Sequence, residues 1–344
     1  MMRFITPMRL FSVATLTPVA LVGAAAIWGG WWVLAALMFL SALTAILDEA
    51  VHHVTPPTDD SEFPAASWLS VSLGIAQFGV LILVINALAN QPLGIAAKIG
   101  LFIAAGFFFG QISNPNAHEL IHRGGRGMHR LGKWVYISLL FGHHTSAHVL
   151  VHHSLVATPA DPSTSRLGES YYRFAPRAWR GSFRKGFEAE TERQNRTRRR
   201  RYHHPYVSYV AGAVGFILLA FLIGGTKGIV AYAALASFAT SQLLLSDYVQ
   251  HYGLMRKITD GKTEPVGPRH SWNSPHWFSS AVMLNAPRHS DHHAHPSRSF
   301  DTLTIPVDSP MLPRSLPIMA TLALFPRQWR KVMDPLALAW SARQ

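Results

Sequence analysis

Apolar residues in this chain come in long unbroken runs, not at the three-to-four-residue spacing of a helix that buries one face in a soluble core. The first two runs, Leu10–Trp28 and Trp31–Leu47, are separated only by Gly29 and Gly30, which predicts a tight helical hairpin. A polar stretch with Pro56, Pro57, Asp59, Asp60 and Glu62 follows. Two more runs, Trp68–Leu88 and Leu93–Ile112, flank a short turn, and a last pair, Tyr206–Ile223 and Ile229–Ser246, surrounds Gly224–Gly228. Each is close to the ~20 residues that carry a helix across a ~30 Å hydrocarbon layer. The pattern predicts an all-α polytopic membrane protein with six transmembrane helices.

The runs divide the chain into four parts: four spans within 1–112, a more polar segment 113–205, two spans within 206–250, and a polar tail 251–344. Inside the second part, Trp134–Phe141 is apolar and is expected at the membrane interface, with Trp31, Trp32, Trp68 and Trp134 as belt residues. The N-terminal MMRFITPMRLF looks like the start of a signal peptide, but a second apolar run follows where a polar mature domain should begin, so no cleavage is expected.

Charge supplies the orientation. Arg166–Arg201 is rich in arginine and contains four in a row at 198–201, whereas the opposite-side turns carry little beyond Lys227. By the positive-inside rule both termini, the middle segment and the tail face the cytoplasm of a bacterial-type inner membrane, which makes the polar parts a cytoplasmic helical cap. The net charge of +13 therefore reflects topology, not nucleic-acid binding. Mean hydropathy of +0.15, with 14% charged residues against roughly 25% in soluble chains, agrees.

No cysteine is present, which excludes disulfides, thiolate-held iron–sulfur clusters and thiolate-ligated haem. Any metal must then be held by nitrogen and oxygen ligands, and the 19 histidines supply the nitrogen. They form four sets: His118 and His122 in His-Glu-Leu-Ile-His; His148, His152 and His153; His251 where the last span ends; and His289, His292 and His293. Residues three and four apart share a helix face, so the last three rings can converge on one point. His118-Glu-Leu-Ile-His122 alone also fits a zinc protease, with Glu119 as general base. A catalytic zinc takes three protein ligands, whereas these sets offer nine, enough for two ions. Imidazole suits zinc, copper, iron or nickel and does not choose among them.

Further motifs carry a resemblance. Asn116–Arg123, the stretch Val156–Glu169 after the second set, His251-Tyr-Gly253, His270-Ser-Trp-Asn and Arg288–Ala294 are similar to segments of the membrane-bound di-iron alkane 1-monooxygenases, within the histidine-rich membrane desaturases and hydroxylases. The chain departs from that pattern at Ala147 and Val151, where Glu and Gly are usual, and at Ala286-Pro287, where Leu-Gln is usual. The resemblance implies two histidine-held iron ions, O2, and hydroxylation of the terminal methyl of a medium- or long-chain alkane or related alkyl chain. It also implies a separate electron donor, a rubredoxin with its NAD(P)H-dependent reductase, since the chain has no flavin or nicotinamide motif. A fatty-acyl desaturase or xylene-type hydroxylase would share the same core. Glu119 and Asp291 are expected to orient imidazoles through their N–H groups. His129, His143, His203, His204, His270 and His295 are expected as interfacial residues, His144 and His276 as the next ligands to consider, and His52 and His53 as loop residues.

Overall fold

Gly29 and Gly30 both take positive φ (64° and 55°), which lets the chain reverse between its first two helices without the clash a side chain would meet. The computed structural model describes residues 7–50, 63–197 and 203–343, so His52, His53 and Arg198–Arg201 lie outside the described residues. Helix α1 (Pro7–Trp28) turns into α2 (Trp31–Ala50), followed by α3 (Phe63–Asn90), α4 (Ile95–His122), α5 (Arg126–Ser138), α6 (Tyr171–Thr197) and the long α7 (Pro205–His251). The tail adds α8 (Trp277–Val282), α9 (His289–Ala294), α10 (Leu316–Ala323) and α11 (Pro326–Ser341). One hairpin, Ile258–Thr259 against Lys262–Thr263, is the β-sheet among the described residues.

Five of these helices, α1 to α4 and α7, are long and apolar enough to cross a membrane. At ~1.5 Å per residue the 47 residues of α7 would reach ~70 Å, more than twice a hydrocarbon layer. The helix is broken at Gly224 and Gly225, whose backbone angles are not helical. Its two arms fold back on each other: a Cβ on Gly228 would strike the carbonyl of Ala220, eight residues earlier. The glycines between the last two apolar runs thus make the turn.

The polar middle segment departs from the sequence expectation. The fourth helix does not stop at Ile112 but continues through a π-turn, Phe109–Ser113, to His122. Its polar residues remain inside the bundle because they find partners: Ser113 Oγ donates to Gln77 Oε1 (2.6 Å) and Asn114 Nδ2 to the Ala239 carbonyl (2.8 Å). His118 lies 23 residues from the start of α4, ~35 Å along the axis, a little more than the ~30 Å thickness of a hydrocarbon layer. His251, at the end of α7, is placed in the same way.

Two large apolar cores result, beside a small cluster of Ile137, Tyr206 and Tyr209. One lies among α1 to α4 and the second arm of α7. The other backs the histidine end and contains Tyr136, Phe174, Tyr248, Tyr252 and Trp329. Helix α5, holding most of the stretch expected at the interface, packs Val135, Tyr136 and Ile137 inward while Trp134 stays exposed. It approaches α4 at Gly132, where a Cβ would sit 2.8 Å from both the Ala117 carbonyl and Leu120 Cβ. Gly132→Val should therefore push α5 off the helix that carries His118 and His122, lowering stability by about 1–3 kcal/mol. Thermal unfolding in detergent would show this as a fall in Tm; an unchanged Tm would mean that the close approach is not a constraint.

Candidate metal centre

The nine histidines meet at one end of the bundle in two groups. The donor nitrogens of His118, His122, His148, His153 and His292 lie within 4.8 Å of one another, as do those of His152, His251, His289 and His293. Thus His289, His292 and His293 do not converge on one point. His289 and His293, four apart on α9, share a face, while His292 is turned ~100° from His293 and joins the other group.

The same division occurs in the second set, for a different reason. Residues 147–152 form a π-helix, whose i→i+5 pattern brings His148 into line with His153. Their Nε2 atoms are 2.9 Å apart, and His152 is released to face the other group. In an ordinary α-helix His148 would align with His152 instead.

Several Nε2–Nε2 separations are short: His118–His148 2.7 Å, His153–His292 3.2 Å, His251–His289 3.0 Å and His289–His293 3.1 Å. Two nitrogens ~2.0–2.1 Å from one ion, at right angles to each other, are about 2.9 Å apart. The Nε2 atoms of His122 and His152 are buried and have no hydrogen-bond partner. Lone pairs converging in this way are best satisfied by a cation. Neither group contains a carboxylate, so the donor set fits a transition metal and not Mg²⁺ or Ca²⁺. Burial, followed by the charge of neighbouring imidazoles, holds His148, His289, His292 and His293 well below the usual histidine range and His153 at about 2. They are therefore neutral, the form that ligates metal.

The carboxylate that orients a grouped ring is Asp161, which the sequence reading missed. Its Oδ2 accepts from His152 Nδ1 at 2.9 Å, with Thr164 Oγ1 and the Ser163 N–H also donating to the carboxylate. Burial alone would lower His152, but the Asp161 charge, the hydrogen bond to it and the Asp247 charge together outweigh burial and raise the ring above its ordinary value. Glu119 and Asp291 instead hold the scaffold. Glu119 is ion-paired with Arg123 and accepts from the Phe300 N–H. Asp291 binds His295, Arg298 and Thr304, none of them in either group. An acid next to a histidine in sequence points away from that ring on a helix, which is why adjacency misleads here. Asp161→Asn should weaken metal binding at the four-ring group about 10–100-fold while leaving the five-ring group intact. A metal titration that showed equal weakening at both groups would contradict this.

His144 is buried against Phe141 and Tyr136 but belongs to neither group, and His276 Nδ1 pairs with Ser274 Oγ (2.9 Å). A cavity of about 820 Å³ reaches His118, His148 and His289. Its other walls are mostly apolar and come from α2, α4, the second arm of α7 and α10, among them Leu40, Phe107, Phe238, Leu243, Leu316 and Leu322. From Phe107 to His118 is eleven residues of α4, so the cavity extends ~16 Å along the helix. Asp247, buried one turn before His251, is an acid on its wall that no sequence motif singled out.

An apolar helical bundle bearing two all-imidazole clusters above a greasy cavity defines a histidine-rich membrane metalloenzyme. Residues 93–304 match the family model for fatty acid desaturases. The chain is 30% identical to alkane 1-monooxygenase 2 of Alcanivorax borkumensis over 90% of its own length and 84% of that protein's. It is 35% identical to the alkane 1-monooxygenase of Pseudomonas putida over 71% of its length and 61% of that protein's. The xylene/toluene monooxygenase hydroxylase component of Pseudomonas putida is 27% identical over 98% of the chain and 90% of its own length. The chain belongs to the alkane 1-monooxygenase family of integral-membrane oxidoreductases.

Proposed function

We propose that this monooxygenase hydroxylates the terminal methyl of medium- or long-chain n-alkanes, or of related alkyl chains, with O2 and two histidine-held iron ions. In this reading His118, His122, His148, His153 and His292 hold one ion and His152, His251, His289 and His293 the other. Bound iron supplies O2 activation and the oxidising power to attack an unactivated C–H bond. The protein's own part is placement. The observation that carries the reading is the cavity, whose apolar walls would receive a hydrocarbon and whose head is formed by His118, His148 and His289. Those walls exclude water and present the chain end first, so positional selectivity follows from shape. Asp161 keeps His152 in one tautomer, with Nε2 directed at the metal position.

An HExxH zinc protease would need Glu119 free to act as a base and three protein ligands. Glu119 is instead held by Arg123, and five rings gather beside it. A benzylic hydroxylase is the reading to weigh second, because the xylene/toluene relative spans nearly the whole chain. Electrons would come from a rubredoxin and its reductase, docking on the arginine-rich histidine end, with that end in the cytoplasm and the bundle in the inner membrane. Charge reversal at Arg198–Arg201 should then slow electron transfer at low salt. The deciding experiment joins iron analysis of the purified protein to whole-cell incubation with n-alkanes and with xylene. Two irons per chain and a 1-alkanol are expected; an alkene or a benzylic alcohol would move the assignment, and zinc without oxidised product would end it.

A further inference from the structure

Between Tyr171 and Phe187, helix α6 carries Arg173, Arg177, Arg180, Arg184 and Lys185 and no acidic residue. One face is buried through Phe174, Ala178, Ser182 and Gly186. This face backs onto the segment that bears the second histidine set: Ser182 Oγ is 3.3 Å from His143 Nε2, and a Cβ on Gly186 would lie 3.1 Å from that of Ala147. Another face is left uncovered. Tyr172, Trp179, Phe183 and Phe187 are 59%, 40%, 37% and 46% exposed, and the last three, four residues apart, form a stripe.

That stripe adjoins the exposed apolar surface of α7. Phe183 and Phe187 each meet Tyr206 edge-on at 5.2 Å, at the start of α7. From there Val207, Val210, Val214, Leu218 and Phe221 continue the exposed apolar surface up the first arm, in the most apolar of the candidate spans. Arg173, Arg180 and Arg184 flank the stripe on the helix surface. Arg184 pairs with Glu188, whereas Arg173 and Arg180 make no ion pair among the described residues. Aromatic rings bordered by arginines, next to a lipid-facing arm, have the composition of a helix that sits in a membrane interface.

We propose that α6 is an interfacial helix: its aromatic stripe enters the headgroup region of the leaflet, and Arg173 and Arg180 bind the phosphates of anionic phospholipids. Because α6 supports the segment carrying His148, His152 and His153, a ligand bound to it stabilises the metal-holding end of the bundle. The full-length, iron-loaded protein can be tested in nanodiscs of phosphatidylcholine alone or mixed with phosphatidylglycerol. With no native cysteine, Phe183→Cys gives a single labelling site. A fluorophore there should be quenched by doxyl lipid and shielded from iodide. Native mass spectrometry should show phosphatidylglycerol enriched several-fold among retained lipids, falling close to the bulk ratio in R173Q/R180Q. Iron retention on heating should improve with phosphatidylglycerol in the wild type and not in that variant. A label open to iodide in both lipid compositions, or shielded only when a small acidic redox protein is added, would overturn the proposal. So would unchanged phosphatidylglycerol enrichment in R173Q/R180Q.

Discussion

Alanine at His153 should cost the protein the ion of the five-ring group, and alanine at the adjacent His152 the ion of the four-ring group. On the proposed two-iron reading each variant should retain about one iron per chain, and hydroxylation should fall on the order of 10³-fold in both, because the members of one reacting unit fail together. The spectroscopic consequences should differ. His153 Nε2 lies 2.9 Å from that of His148 and 3.2 Å from that of His292, so its loss opens the group nearest His118. His152 has its Nδ1 fixed by Asp161 and its ring among His251 and His293. Iron analysis with Mössbauer spectra of the two variants should therefore show complementary losses. If both lost the same signal, or if both still held two irons, the five-and-four division would be wrong.

That division marks the limit of what the sequence revealed. The four histidine sets were legible because chemistry-bearing residues recur at helical spacings, and the long apolar runs marked the bundle because a ~20-residue requirement is set by the membrane. Assignment to one group or the other depends on helix phase. His148 and His152 are four apart and were natural partners on an α-helix; the π-turn at 147–152 separates them. Nothing in Ala147–His152 announces that turn. Asp161 was hidden because it reaches His152 across a loop, nine residues on, whereas Glu119 and Asp291 attracted notice through adjacency alone. Helix α10 was hidden for a further reason. Its eight residues are too few for a span, and they lie in a tail that reads as polar, yet Leu316, Ala320 and Leu324 form a wall of the cavity.

That wall yields a sharp test of what the cavity is for. Leu316, Ala320 and Leu324 are spaced four apart and line the cavity; Leu316 and Ala320 also pack, with Met319 and Ala323, against the core that contains Trp329. Ala320 is half-buried and faces the cavity at the edge of that core, so added volume there reduces the space open to a chain. Ala320→Trp should shorten the usable channel. A single misfitting methylene is worth about 1–3 kcal/mol in an apolar site, so kcat/KM for the longest accepted alkane should fall about 10–200-fold. The shortest should change little, moving the preference toward shorter chains. Iron content should stay at the parental value, because Ala320 belongs to neither histidine group. Product analysis across an n-alkane series checks this directly. A uniform loss at every chain length would mean that the tryptophan disturbs the metal end, and an unchanged profile would mean that hydrocarbon does not lie along α10.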